Sequence, residues 1–193
     1  MTIFVTGKSG SGKSSFARLL AEDLGYKYID VDKIGHSIYE DKSVLDAVVD
    51  IFGKDILIDG VFDRKALGRK LFNETDKTKI DKFNIVTGKA IKDRVVPYLE
   101  EDAVVEWILL PLTEFWNHRA YRILVKGISD EIRFEKIIAR DHVSREYLES
   151  REKAGIQYNE GEFDRVVVND YTEHSLENIA KVIAEEISRH NKD

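Results

Sequence analysis

The sequence predicts an α/β protein: a three-layer fold with a five-stranded parallel sheet flanked by helices, carrying a helical insert and a lid. Three observations lead there. Short apolar runs alternate with stretches of helical period. A glycine-rich segment, Gly7 to Ser14, joins the first apolar run to the first helical stretch. About 70 mostly helical residues then separate the second run from the third, too many for a plain loop.

The candidate strands are Ile3–Thr6, Lys27–Asp30, Ala103–Leu110, Arg122–Lys126 and Arg165–Val168. Val166, Val167 and Val168 show no polar alternation, as expected of a strand covered on both faces. After Lys13, the apolar residues Phe16, Leu19, Leu20 and Leu24 recur at three and four, and Gly25 offers a stop. Leu176, Ile179, Ala180, Ile183 and Ile187 mark a last helix in the same way. The insert, residues 33–102, holds Val44–Phe52, Arg64–Phe72 and a periodic segment through Ile80, Phe83, Ala90, Ile91 and Tyr98. These helices read equally as a substrate-binding subdomain or as a cover for the sheet; periodicity alone does not choose.

Composition narrows the classes of function. With 42% hydrophobic and 34% charged residues the chain is a globular protein and not a disordered one. The absence of cysteine excludes disulfides, iron–sulfur clusters and thiol nucleophiles. Thirty basic against 36 acidic residues give a net charge of −6, which opposes broad nucleic-acid contact but leaves room for a local basic pocket. The first residues lack a basic leader with a long apolar run, and the longest apolar run, Trp107 to Leu112, falls far short of the ~20 residues that span a bilayer. A cytoplasmic protein without membrane or nucleic-acid partners is expected. No heptad repeat bears on oligomeric state, which stays open.

Gly7-Lys8-Ser9-Gly10-Ser11-Gly12-Lys13-Ser14 fits G-x-x-x-x-G-K-[ST], the P-loop pattern, between a β-branched strand and an amphipathic helix. Glycines let backbone N–H groups turn inward around phosphate oxygens, and the following helix adds its unpaired N-terminal donors. Gly7, Lys8, Ser9, Gly10, Ser11, Gly12, Lys13, Ser14 and Ser15 are therefore the candidate ATP cradle. Lys13 is expected to bridge the β- and γ-phosphates, and Ser14 to offer a hydroxyl to Mg²⁺.

Switch GTPases, hydrolytic ATPases and small-molecule kinases share such a loop. The D-x-x-G match at Asp32-Lys33-Ile34-Gly35 is weak, and the only trace of a guanine-reading N-K-x-D segment is Asn191-Lys192-Asp193 at the chain's end. The third strand, read as running into Leu110-Pro111, shows no acidic residue at its end, against a hydrolytic motor. A kinase fits best. Asp32, after the second strand, is the candidate base, with a helix cap as its bland alternative and Asp30 as its competitor; strand alternation would turn both to one face. Arg133, Lys136 and Arg140 share one face of a helix starting near Ser129, read as a lid over residues 129–155 that brings arginine to the transferring phosphoryl group.

The order of these pieces resembles the dephospho-CoA kinase family. The resemblance rests on Leu24-Gly25 followed by Ile29-Asp30-Val31-Asp32, then Phe52-Gly53, Asp59-Gly60, Arg64-x-x-Leu67 and Leu71-Phe72, then Arg140-Asp141-x-Val143-Ser144-Arg145-Glu146 and Val167-Val168-Asn169. It implies a single P-loop kinase domain over residues 1–193, with residues 33–102 as the acceptor-binding insert. It implies transfer from ATP, with Mg²⁺, to the ribose 3′-hydroxyl of dephospho-CoA. On the matching positions, Asp32 is the base, Arg64 an acceptor contact, Arg140 the ATP-contacting arginine and Asn169 a neighbour of adenine. Two segments differ from the family pattern: Val86-Thr87-Gly88-Lys89 stands where it usually has a His-Pro pair, and Pro111-Leu112-Thr113-Glu114 is one residue shorter than its counterpart. A nucleoside or nucleotide kinase of the same fold, and a nucleotide-binding module without transfer, are the competing readings.

Overall fold

In chain order, the computed structural model has β1 (Thr2–Thr6), α1 (Lys13–Leu24), β2 (Lys27–Asp30), α2 (Val31–Ser37), α3 (Lys42–Phe52), β3 (Leu57–Ile58) and β4 (Val61–Phe62). There follow α4 (Arg64–Asn73), α5 (Lys77–Leu99), β5 (Ala103–Glu106), β6 (Tyr121–Gly127), α6 (Asp130–Asp141), α7 (Arg145–Ala154), β7 (Arg165–Asn169) and α8 (Ser175–His190). Residues 1–190 are described; the Asn191-Lys192-Asp193 fragment lies outside them. The chain divides into two compact units, one made of Met1–Asp30 with the chain from Tyr98 on, the other of Val31–Pro97.

The first unit holds the parallel sheet, in the order β2-β5-β1-β6-β7. Every residue of β1 and β5 is buried, as central parallel strands require. Ile3 and Val5 point to one face, where α1 and α8 lay Phe16, Leu20, Ala180, Ile183 and Ile187 over Val104, Ile123 and Val125. Phe4 points to the other, stacked 6.2 Å from Trp116. The five strands expected from the sequence are all present.

One strand boundary differs from expectation. The third strand of the sequence ends at Glu106, not Leu110. Val5 and Asp30 are its last register partners, each opposite Glu106; β2 ends at Asp30 and β1 goes on by one residue, Thr6. The Trp107 N–H still reaches Val5 O at 3.2 Å, and the apolar run then leaves the sheet for a 3₁₀ turn over Leu110–Leu112 with Pro111 at its start. The second strand ends at Asp30, as expected, and Val31 already opens a helix. Asp32 therefore lies in the first turn of α2, and strand alternation does not relate it to Asp30.

The second unit has an apolar core of its own. Val48, Phe52, Ile56 and Leu67 are buried together, with Phe52 edge-on to Phe83 at 5.6 Å and Tyr39 stacked on Phe62 at 4.5 Å. Asp41 and Asp63 cap α3 and α4, their carboxylates accepting from the N–H of Ser43 and Lys65. The short β3–β4 hairpin was not anticipated, although Asp59-Gly60 between two apolar pairs is a hairpin signal. Among the described residues no helix is long and apolar enough to cross a membrane.

Neighbouring positions on α8 make the packing testable. Ile183 is fully buried and Val182 is 52% exposed. Ile183→Ala is expected to lower unfolding free energy by about 2–5 kcal/mol, and Val182→Ala to change it by no more than about 0.5 kcal/mol, both read from urea denaturation midpoints.

Candidate active site

The P-loop runs from the carboxyl end of β1 into α1, as the motif demands. Gly12 is the N-cap of α1, with φ +92, and no side chain caps the helix. A Cβ on Gly12 would come within 2.5 Å of the Asn169 amide nitrogen, so both conformation and space demand glycine. No acidic side chain sits in the first turn of α1. The helix thus begins with exposed backbone donors and an uncompensated positive end, which suits an anion.

Lys13 Nζ lies 3.2 Å from Glu106 Oε1. Glu106 is 1% exposed and also accepts from the Tyr28 hydroxyl at 3.3 Å. Burial, reinforced by the Glu106 charge, pushes the Tyr28 phenol up, so it stays a donor through the neutral range. Glu106 is the acidic strand end that the sequence reading denied. The signal was there in Ala103-Val104-Val105-Glu106, hidden because the apolar residues after it read as more strand.

Lys8 and Arg133 converge on a second carboxylate, Glu152 of α7. Glu152 pairs with Lys8 Nζ, and Arg133 Nη2 reaches Glu152 Oε2 at 2.8 Å. Arg133 is buried and also holds Asp130 at 2.9 Å. Burial pulls the guanidinium down, but Glu152 and Asp130 outweigh it and keep its pKa above the ordinary value. A cleft of about 260 Å³ opens here, lined by Lys8, Ser9, Arg133, Tyr147, Arg151 and Tyr158 among others.

Three successive loop carbonyls are occupied by side chains from outside the loop. Ser9 O accepts from Arg133 Nη1 at 3.0 Å, Gly10 O from the Tyr171 hydroxyl at 3.0 Å, and Ser11 O from Asn169 Nδ2 at 3.0 Å. Inside the loop, the Ser11 N–H closes a turn on Lys8 O at 3.1 Å. Asn169 is 5% exposed, and its other amide atom accepts from the Tyr171 N–H at 2.8 Å.

Arg140 differs from Arg133 although seven residues put them on one face of α6. Arg133 faces the loop at 3% side-chain exposure, whereas Arg140, in the last turn, is 61% exposed and bound two-fold to its neighbour Asp141 at 2.7 Å. The structure therefore splits the expected arginine face into one residue built into the loop's support and one at the surface.

Asp32 and Arg64 belong to the second unit. Asp32 is exposed in the first turn of α2, two residues beyond the end of β2. Arg64, first residue of α4, donates to the backbone carbonyl of His36 at 3.1 Å, one turn along the same α2. The fold thus brings Arg64 onto the helix that carries Asp32.

Residues 1–188 match the protein family described as dephospho-CoA kinase (CoaE). The chain belongs to the dephospho-CoA kinase family. A family relative from Fusobacterium nucleatum, named dephospho-CoA kinase, is 32% identical over 191 residues and is covered, like this chain, to 95%. The dephospho-CoA kinase of Escherichia coli is 32% identical over 156 residues, 76% of this chain and 72% of that one. Among solved structures, TT1252 from Thermus thermophilus aligns over 97% of both chains with a TM-score of 0.78 and 27% identity. A dephospho-CoA kinase from Campylobacter jejuni, 22% identical, shares the fold over 98% of both chains with a TM-score of 0.69.

In this dephospho-CoA kinase family member, sequence reasoning found the loop but missed Glu106, Glu152 and Tyr171, whose carboxylates and hydroxyl meet the loop only through folding. The Lys13–Glu106 pair can be weighed directly. Lys13→Met removes the cation from a carboxylate that stays buried, at an expected cost of about 3–5 kcal/mol of stability. Adding Glu106→Gln should recover part of that loss in equilibrium urea unfolding; two independent, additive losses would refute the coupling.

Proposed function

We propose that this chain transfers the γ-phosphoryl group of ATP to the ribose 3′-hydroxyl of dephospho-CoA, giving coenzyme A and ADP. The observation that carries the reading is the family match along nearly the whole chain, joined to a P-loop whose lysine rests on a buried strand-end carboxylate. The match includes the acceptor-side unit as well as the nucleotide side, which favours this acceptor over a nucleoside or nucleotide.

The roles follow from chemistry. The loop amides and Lys13 hold the β- and γ-phosphate oxygens and offset the charge that builds on them. The Asp32 carboxylate receives the proton of the attacking hydroxyl; the new oxygen–phosphorus bond forms as the bond to the β–γ bridging oxygen breaks, and ADP leaves. Arg140 reaches the phosphates from the lid, exchanging Asp141 for phosphate oxygen. Water screens an ion pair this exposed, so the exchange is easy. Arg64 contacts the acceptor from α4, held by its bond to His36 O on the helix that carries Asp32.

The donor types near the loop suit Mg²⁺: the Ser14 hydroxyl at the start of α1, and the Glu106 and Asp30 carboxylates, register partners at the carboxyl edge of the sheet. When bound, the ion neutralises charge on the β- and γ-oxygens.

Incubation with ATP, Mg²⁺ and dephospho-CoA is expected to yield coenzyme A, detected by mass spectrometry as the gain of one phosphoryl group. Faster transfer to uridine or to a nucleoside monophosphate would overturn the acceptor assignment. Asp32→Asn is expected to keep the Kd for ATP and to lower kcat by about 10²-fold or more. Turnover close to that of the parent would remove Asp32 from the mechanism.

A further inference from the structure

The P-loop is built so that its own glycines endanger it. Gly10 has φ +76 and Gly12 φ +92, and a glycine passes between positive and negative φ at little steric cost. The peptide units beside them can therefore flip. A flip exchanges an N–H for a carbonyl oxygen, replacing attraction to a phosphate with repulsion. Something outside the loop has to set the direction of those units.

Three side chains are placed to do so. In a trans peptide the carbonyl of one residue and the N–H of the next point to opposite sides, and the described chain has no cis bond. Arg133 on Ser9 O fixes the Gly10 N–H, Tyr171 on Gly10 O fixes the Ser11 N–H, and Asn169 on Ser11 O fixes the Gly12 N–H. The Ser11 N–H is turned back to Lys8 O, which tightens the loop, while the Gly10 and Gly12 N–H groups point away from the side chains that hold their peptide units.

The anchors are themselves held. Arg133 is fixed by the Asp130 and Glu152 carboxylates. Tyr171 has φ +62, a conformation a bulky residue adopts only when its surroundings impose it. Asn169 imposes it by accepting the Tyr171 N–H. Gly127 makes room for the ring: a Cβ there would lie 2.3 Å from the Tyr171 hydroxyl oxygen. Burial pushes the Tyr171 phenol up, keeping its proton available for donation at neutral pH.

We infer that Arg133, Tyr171 and Asn169 are positioning residues for triphosphate binding, which hold three successive peptide units of the loop against flipping and so keep its donors aimed at phosphate. This rests on the reading of residues 7–14 as a triphosphate cradle, and it gives Asn169 a place under the phosphates in addition to the adenine neighbourhood expected from the family.

Tyr171→Phe removes one hydroxyl and leaves the ring in its seat, so the fold is preserved. Calorimetric titration with Mg·ATP and with Mg·tripolyphosphate, which has no base or sugar, separates the possibilities. The variant is expected to bind both more weakly by the same factor, about 3- to 10-fold, the range set by one hydrogen bond. Amide hydrogen exchange in a peptide covering residues 7–14 should quicken, with the global melting temperature moving by about 4 °C or less. Unchanged affinity for both ligands would overturn the inference, and so would a loss confined to ATP, which would assign Tyr171 to the base or sugar. Binding is read without an acceptor, so a failure to form coenzyme A overturns the proposed reaction while leaving this result to stand or fall on its own.

Discussion

The carboxyl edge of the parallel sheet sets one constraint that the whole nucleotide side obeys. β1, β2 and β5 end within one residue of a common level, where Val5 and Asp30 flank Glu106 as its register partners. Beyond that level the chain must turn, and each turn delivers chemistry. β1 passes into the P-loop, β2 into the helix that bears Asp32, and β5 ends on the carboxylate that meets Lys13. A buried ion pair is a poor source of stability, because removing both charges from water costs several kcal/mol per ion. Lys13–Glu106 is better understood as a way to keep a cation at the mouth of the loop in a defined position, with the Tyr28 hydroxyl satisfying the second carboxylate oxygen.

Around this edge, acidic residues divide the labour of holding basic ones. Glu106 takes Lys13, Glu152 takes Lys8 and Arg133, and Asp141 takes Arg140. Burial distinguishes them: Glu106 is sealed, Glu152 is partly covered, and the Arg140–Asp141 pair stands in solvent. Water screens the last pair and makes it easy to exchange, whereas the first acts as a fixed part of the fold.

The second unit contributes by independent means. Asp41 and Asp63 cap α3 and α4, and Tyr39, Phe62 and Phe83 pack against the buried Val48, Phe52, Ile56 and Leu67. The Val86-Thr87-Gly88-Lys89 segment, where the family pattern usually has a His-Pro pair, falls in the middle of α5. There the Thr87 hydroxyl bonds back to Phe83 O at 2.8 Å, within the helix.

The sequence by itself determined the fold class and the position of the P-loop between the first strand and the first helix. Both are local: strand and helix periods repeat within a few residues, and G-x-x-x-x-G-K-[ST] is contiguous. It could not show where β5 stops, because the apolar residues after Glu106 read as strand until one knows that β2 ends opposite Glu106 and β1 only one residue further on. Nor could it separate Arg133 from Arg140, equal in helical phase and opposite in fate, since only the position of the loop beneath the first turns of α6 decides which one is buried. Tyr171 and Asn169 stand about 160 residues from the carbonyls they hold. Contacts at that separation have no local period; they exist because a parallel sheet gathers the ends of distant strands along one edge.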